Sequence, residues 1–596
     1  IKIITKKPDV SSIDYGFDIE YGSITDGSND ESLEAFINMP LGANTAVRIS
    51  AYDLQDGGWI DNELTSKTFT NSGYTIDNSA HAKDDYNELN KSGYRIRLAS
   101  EIMGQNLDLS LLDQTSEFGG SWETDEAVGP RSNSRFNEEH FDDDFSQISL
   151  SLSGDLSEDV EYIFTASSFD RDVNYTYDYS EYVEYYRYDG PTYTCDYYDY
   201  YYYYNISGCQ DPRMSYTQID NHERDSYEVR IQSKGDSGFQ WILGAFSETS
   251  KRDYEIAYLW PGANPGNLSF GVPNGQWWNL DNTREEDVEA FFGEGSLNVN
   301  DKTKLTVGFR SYDQDTMVDA KDGYFGVFDG VEKVFNSNDS GVVPKVNIAH
   351  NISDDVMVYG TYSEGFRASG INRVRPAQTA FIPESYDSDY LESLEFGFKS
   401  TLADGKLILN GAYFMMDWND FQSTTFNLAY SPVAFVDNVG NAEINGLELD
   451  ATYKPNDTLT LSGYVVSNDP SLSEDYYDVS GVLIANSGNR LAYVPELSYV
   501  LGLDKVLSIF GMPGYVSVDY SYTGDRYTSQ ANDLKLPSYA IANMRVGVES
   551  GNRSMEVFIS NLTDENGYQS RYDDFGDIRR TQNRPRVIGL RFKYRY

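Results

Sequence analysis

The chain is poor in the residues that build reactive or metal-bound centres. Two cysteines and four histidines (His81, His140, His222, His350) stand among 596 residues. The histidines are scattered, with no metal-ligand spacing. No GxSxG, HExxH, CxxC or Walker loop occurs. With 95 acidic side chains, chance carboxylate pairs are inevitable and carry no meaning. The chain therefore reads as a non-enzyme that needs no cofactor. Basic residues are also scarce, 46 against those 95 acids for a net charge of -49. Nucleic acid demands clustered Lys and Arg, so it is excluded as a partner. No run approaches the ~20 apolar residues of a spanning helix. That excludes a helical membrane protein but not a β-barrel, in which only alternate residues meet lipid. No secretory leader stands at the N-terminus, so the chain is expected to be mature, processed or truncated.

What is abundant is tyrosine and glycine, 49 of each, with 30 phenylalanines. Much of this falls in a period-two pattern, the mark of strands with one apolar and one polar face. Ile13, Tyr15, Phe17, Ile19 and Tyr21 alternate with Asp14, Gly16, Asp18 and Glu20. Leu33 to Leu41 and Val47 to Ala51 repeat the pattern across a Gly42-Ala43-Asn44 turn. Connections then alternate in length. Long polar stretches are expected at Asp53 to Ser92, about Asp113 to Phe145, and about Asp170 to Arg224, with tight turns near Gly104, Gly154 and Gly235 between them. Short turns on one side and long loops on the other describe an outer-membrane barrel, whereas a soluble sandwich has no reason to keep that asymmetry. The closing segment RPRVIGLRFKYRY sets Ile588, Leu590, Phe592, Tyr594 and Tyr596 on one face and Arg591, Lys593 and Arg595 on the other. A cation facing lipid at mid-membrane costs several kcal/mol, so these three are expected to face the lumen. The same parity places Arg48, Arg95, Arg97 and Arg310 inside. A polar, partly basic lumen needs water, substrate or a plug to fill it.

Several stretches resemble the TonB-dependent receptors, a family of outer-membrane active transporters. IKIITKKP (Ile1 to Pro8) is similar to the end of their plug domain. PKVNIAHNISDDVMVYGTYSEGFRASGINR (Pro344 to Arg373), ESLEFGFKSTLADGKLILNGAYFMMDWNDFQ (Glu392 to Gln422), VGNAEINGLELDATY (Val439 to Tyr453), GNRLAYVPELSYVLGLD (Gly488 to Asp504), ISNLTDENGY (Ile559 to Tyr568) and the terminal strand follow the family pattern in order. The resemblance implies residues 1–8 as the end of a plug or its linker and residues 9–596 as an all-β, antiparallel transmembrane barrel of 22 strands. Short turns would face the periplasm and long loops the exterior of a Gram-negative cell. It implies uptake of a scarce, bulky ligand, such as a siderophore-iron complex or an oligosaccharide, powered by TonB and its inner-membrane energising complex. In the family the plug and the TonB box precede the IITKKP stretch. Neither is present in this chain, so no residue here is assigned to engage TonB. Two alternatives stay open: a plugless passive diffusion channel, and a surface platform for an extracellular lipoprotein or other partner. Lipid and lipopolysaccharide would surround the barrel in each case.

The candidate ligand residues are aromatic, because ring faces stack on sugars, catechols or macrocycles at low entropic cost. They are Tyr197, Tyr198, Tyr200, Tyr201, Tyr202, Tyr203 and Tyr204, with Trp260, Trp277 and Trp278 in the stretch expected as a loop between Phe246 and Glu286. The competing reading is that they pack the loops together or mark the membrane interface. Cys195 and Cys209 flank the tyrosine run. A disulfide there would close a loop of about 15 residues, contribute roughly 3 kcal/mol and imply an oxidising compartment; two unlinked thiols are the alternative. Asp142, Asp143 and Asp144, and likewise Asp573, Asp574 and Asp577, are candidates for a divalent cation, against the simpler reading of a solvated, self-repelling surface. The lumen arginines are read as plug contacts. The acidic, tyrosine-rich exterior disfavours strongly anionic ligands and tolerates neutral or cationic ones, a preference that salt screens within ~10 Å.

Overall fold

Apolar and polar faces on every strand have one economical solution, a sheet closed on itself with lipid outside and water or protein inside. The computed structural model, which describes residues 4–70, 73–185, 211–235, 237–262, 275–324, 332–372, 383–425, 435–478, 481–574 and 577–596, adopts that solution. Its main sheet has 22 strands. Each pairs antiparallel with the next, and the last, Val587–Arg595, closes on the first, Asp14–Ile24, from Gly16↔Arg595 to Ile24↔Val587. The seam is reinforced outside by rings: Tyr15 stacks on Tyr596 at 4.9 Å and Phe17 lies 6.0 Å from Phe592. Near the opposite end of its strands, Tyr499 stacks on Tyr522 at 5.0 Å. These are fragments of the two aromatic girdles that such barrels set at the membrane interfaces.

The period-two expectation holds in detail on the first strand. Tyr15, Phe17, Ile19 and Tyr21 are exposed on the lipid face, while Gly16 and Gly22 are buried and Asp18 and Glu20 half-buried. Turns on the periplasmic side are tight. Residues 103–104 and 510–511 are two-residue hairpins with positive φ at both positions (Met103 53°, Gly104 78°; Phe510 51°, Gly511 80°). That twist matches the flanking strands, and glycine supplies it without strain.

Strand length divides the barrel into two walls. Seven consecutive strands are long: His140–Asp155, Val160–Asp178, Ser215–Ser233, Phe239–Leu259, Gln276–Asn300, Thr303–Tyr324 and Glu332–Ser353, the longest having 25 residues. The remaining strands are 8 to 15 residues, the shortest being Arg553–Ser560. A bilayer needs only ~9–11 tilted residues, so the long strands stand well above it as a tall wall. On its outer face the continuous exposed apolar band ends at Tyr227, Phe291, Phe309 and Val342, with isolated apolar positions such as Ile219 and Val334 higher up. Above it the outward positions are Glu223 and Asp225, Glu285 and Asp287, Asp313 and Asp315. Carboxylates take over where lipid gives way to water.

This corrects the expected loops. Strands continue to Asp56, Phe118 and Asp178 and resume at Leu89, His140 and Ser215, so each long connection is shorter than its polar stretch. Trp277 and Trp278 belong to the strand Gln276–Asn300 rather than to a loop. Above the membrane both faces of a strand are polar, and alternation, the signal that reveals a strand, vanishes there. The run Cys195 to Cys209, with Tyr197 to Tyr204, lies outside the described residues.

Candidate functional site in the barrel lumen and vestibule

The inside of the barrel is built from the polar residues of each strand. Its lower part holds a cavity of about 1290 Å³ lined by Arg95, Arg97, Asp108, Ser110 and Gln147, among others, and entered by the N-terminal segment through Ile4, Thr5, Lys7 and Val10. Two side chains hold that segment in place. The Arg97 guanidinium donates to the Thr5 carbonyl at 3.1 Å and to its hydroxyl at 3.0 Å while gripping Asp108 at 2.7 and 2.5 Å. Buried Asn38 donates to the carbonyls of Asp9 and Ser12, each at 2.8 Å, and accepts from the Asp9 N–H.

The other basic residues singled out from sequence pair within the wall. Arg48 and Arg595 reach Asp14 at 3.7 and 3.2 Å, and Arg591 and Lys593 reach Asp18 at 2.6 and 3.3 Å. Arg310 lies over the Phe246 ring at 5.4 Å. Arg95 lines two adjoining cavities with no carboxylate partner among the described residues. Like Arg310, whose partner is a ring, it keeps charge to spare for whatever occupies the lumen.

Higher up, the inner face of the tall wall carries a charged band. Arg171, Asp220, His222, Ser250, Arg252, Arg284 and Glu286 line a cavity of about 380 Å³. Arg171 grips Asp143 in bidentate fashion at 2.7 Å, and the Arg252 Nε donates to Asp220 at 2.8 Å. His222 shares a hydrogen bond with Ser250 at 3.1 Å. Above the band, Tyr175 and Tyr216 both donate to the Gln218 carbonyl oxygen (2.5 and 2.8 Å), and the Gln218 amide passes to Asp220 at 3.3 Å. Rings on adjacent strands continue the course: Phe118 to Phe141 at 5.0 Å, Phe141 to Tyr175 at 5.8 Å, Tyr175 to Tyr216 at 5.9 Å, Tyr216 to Tyr258 at 5.5 Å. Charge below and aromatic faces above, on one rigid sheet, suit a bulky ligand with both polar and planar parts. Sequence reasoning missed this band, because Arg171, His222 and Arg252 lie among acidic residues with no visible alternation.

The loops roof this vestibule. Trp260, Trp277 and Trp278 are buried in one cluster with Phe69, Phe136, Tyr182, Met214 and Tyr258, drawn from three connections and the tops of the tall strands. The Trp260 indole N–H donates to the Asp211 carbonyl at 3.0 Å. These three tryptophans hold the roof together and offer no face to a ligand in this conformation. Asp142, Asp143 and Asp144 are consecutive strand residues, so the middle one points opposite to its neighbours. Asp143 is engaged by Arg171, and among the described residues no acidic, His or Cys group forms a metal cluster. The side chains of Asp573, Asp574 and Asp577 lie outside the described residues.

A buried ionic node ties three loops together. Arg135 is 1% exposed and reaches Asp125 at 3.0 Å and Glu139 at 3.3 Å. Burial, with Arg579 nearby, would push its guanidinium down, but Asp125 and Glu139 more than offset this and hold it above its ordinary value. Burial raises the Tyr86 hydroxyl, and Glu139 adds to the effect. The phenol stays protonated and donates to Glu139 at 3.1 Å. The strand Asp577–Gln582 then joins Glu123–Asp125 in a small three-stranded sheet, so the final loop is stitched to the same node.

Comparison with known proteins agrees with this architecture. The family described as "TonB dependent receptor-like, beta-barrel" matches residues 14–562. The pesticin receptor of Yersinia pestis is 24% identical over 245 residues, 40% of this chain and 33% of that protein, so the alignment spans a third of the relative's own length. The crystal structure of the ferric yersiniabactin uptake receptor FyuA from Yersinia pestis superposes with a TM-score of 0.78 at 14% identity, covering 99% of this chain and 81% of that one. The siderophore receptor PiuA from Acinetobacter baumannii gives a TM-score of 0.74 at 14% identity, covering 99% and 82%. At such identity the structural likeness shows the fold, and the family match carries the assignment. The chain thus belongs to the TonB-dependent receptor family and forms its 22-stranded transmembrane β-barrel in the bacterial outer membrane.

Proposed function

We propose that the protein takes up a metal chelate of the ferric-siderophore class, captured in the vestibule and passed through the lumen under TonB control. The charged band on the inner face of the tall wall carries this reading. Arg171, Arg252, Arg284 and His222 gather cationic and donor groups inside a protein whose net charge is -49. Each arginine is paired with a carboxylate, Asp143, Asp220 or Glu286, so the band offers closely spaced donors and acceptors, which suit an oxygen-rich chelate with ionised and neutral groups better than a neutral sugar. It also revises the preference drawn from overall charge, because a ligand inside the vestibule meets this band rather than the screened exterior. The names of the structural relatives point the same way.

In this reading a plug fills the polar cavity around residues 4–13, residues 1–8 are its end, and Arg95 meets its surface. Transport rather than catalysis is the activity. The test is uptake of radiolabelled iron, supplied as defined ferric chelates, by iron-starved cells with and without the gene and with and without TonB. Uptake that needs both supports the proposal. A large constitutive conductance of the native protein in a planar bilayer, with TonB-independent uptake, would replace it with the passive channel. Uptake of oligosaccharides but of no iron chelate would overturn the ligand class.

A further inference from the structure

Beside the charged band, at the top of the tall wall, lies a smaller cavity of about 310 Å³. Its lining is mostly rings: Phe118, Trp122, Phe141 and Tyr177, with His140 and Thr581 at the margin. Phe118 and Phe141 meet edge to face at 5.0 Å and 72°. Trp122 is held from behind by Trp59, 6.4 Å away at 79°. Gly120 abuts the Tyr86 ring so closely that a Cβ would stand 2.0 Å from it. These walls are fixed by strands and by the Arg135 node.

The polar groups in this space are not spent. The Trp122 indole N–H is buried and meets no acceptor among the described residues. No described residue hydrogen-bonds the Tyr177 hydroxyl or the His140 ring. Glu123, the carboxylate on the lining, is engaged by Arg579 at 3.3 Å and by Tyr572. A buried donor without a partner costs free energy until an acceptor arrives. Aromatic walls favour a flat ring stacked or set edge-on against them.

We infer that this cavity is an aryl subsite, one that receives a planar aromatic group bearing an acceptor oxygen, such as a metal-bound phenolate. The Trp122 N–H and the Tyr177 hydroxyl donate to the oxygen, and Phe118 and Phe141 flank the ring. The rest of the chelate then lies toward Arg171 and His222. The inference rests on the chelate-receptor reading and narrows it to aryl-containing ligands.

The test uses the full protein purified from its outer membrane in mild detergent. It is titrated by calorimetry with the ferric complex of 2,3-dihydroxybenzoate and, in parallel, with ferric citrate, which has no ring. Thr581→Trp fills the cavity, while Trp122→Phe and Tyr177→Phe keep a ring and remove one donor each. Heat-modifiable gel mobility confirms that each barrel is folded. The expected result is loss of about tenfold or more in affinity for the aryl complex in T581W and about fivefold in each donor variant, with citrate unchanged. Failure of the native protein to bind the aryl complex, or equal binding by native and all three folded variants, overturns the subsite. Iron uptake in the same strains separates the two claims. Uptake that is insensitive to the variants removes the subsite and leaves the receptor reading. Aryl binding that T581W abolishes, in cells that take up no iron chelate, does the reverse.

Discussion

The strands from His140 to Ser353 run 16 to 25 residues, and the others run 8 to 15. On the low wall, function-bearing side chains above the bilayer must sit on loops. Its connections fold into small local units, such as the cluster of Phe421, Val439, Leu472, Tyr476 and Leu491, each anchored by a few polar contacts. On the tall wall the same height is reached by hydrogen-bonded sheet. The charged band and the aromatic course are therefore carried on strands, and the loops fold back onto those strands as a roof. A site on a sheet is held more precisely than one on loops, which is why the vestibule is assigned to this side of the barrel.

Breaking the roof should give the largest effect. Trp278→Ala removes an indole that is 1% exposed and should cost about 3–5 kcal/mol locally. Hydrogen exchange should accelerate across 66–70, 73–77, 136–137 and 211–214, while the low-wall loops stay protected. Equal loosening on both walls would mean that the two sides are not independent. Arg135→Met should cost about 3 kcal/mol, because Asp125 and Glu139 keep their burial and lose their counter-charge. Its signature is joint deprotection of 59–62, 121–125 and 577–582, and if 577–582 stays protected the stitching role of the node fails.

On the low wall the corresponding contact is smaller. Arg367 holds Asp389 through its Nε at 2.9 Å, donates to the Gln422 carbonyl at 2.7 Å and lies over Trp418 at 4.9 Å. Lysine cannot reproduce the fork or the stacking. Arg367→Lys should cost about 1.5 kcal/mol, read as faster exchange at 385–389 and 422–425 with no change in the tall-wall roof.

The smallest effect is a pH dependence. A hydrogen bond from Lys535, and then one from Arg490, hold the Asp525 carboxyl below its ordinary value of 3.8. A depressed folded value means the contact contributes fully above 3.8 and is lost as pH falls through the folded value. The loop 524–538 should show unchanged exchange protection from pH 5 to 8, after correction for intrinsic rates, and loosen only in stronger acid. Asp525→Asn should abolish that acid dependence, and loosening near pH 6 would point to another group.

How legible this was in the sequence depended on where lipid touches the chain. Tyr15, Phe17, Ile19 and Tyr21 declare their strand because hydrocarbon demands apolar side chains at alternate positions and tolerates no cation there. The same demand fixed the parity of Arg591 and Lys593 and the ordering of short turns and long loops. Above the membrane that pressure ends. The strands through Asp178, Ser215 and Gln276 read as loop because water accepts polar residues on both faces. Trp277 and Trp278 were legible as important but not as roof, since burial by a distant loop leaves no local mark.

The sequence by itself determined the class of the molecule, the inward and outward faces of its membrane strands, and the family to which it belongs. The tertiary structure decided which wall is tall, which polar residues from separate strands converge on the vestibule, and that Arg135 binds three loops into one unit. Alternation is a local property imposed by a uniform solvent and can be read residue by residue. Convergence depends on register between strands far apart in the chain, and that is set only when the barrel closes.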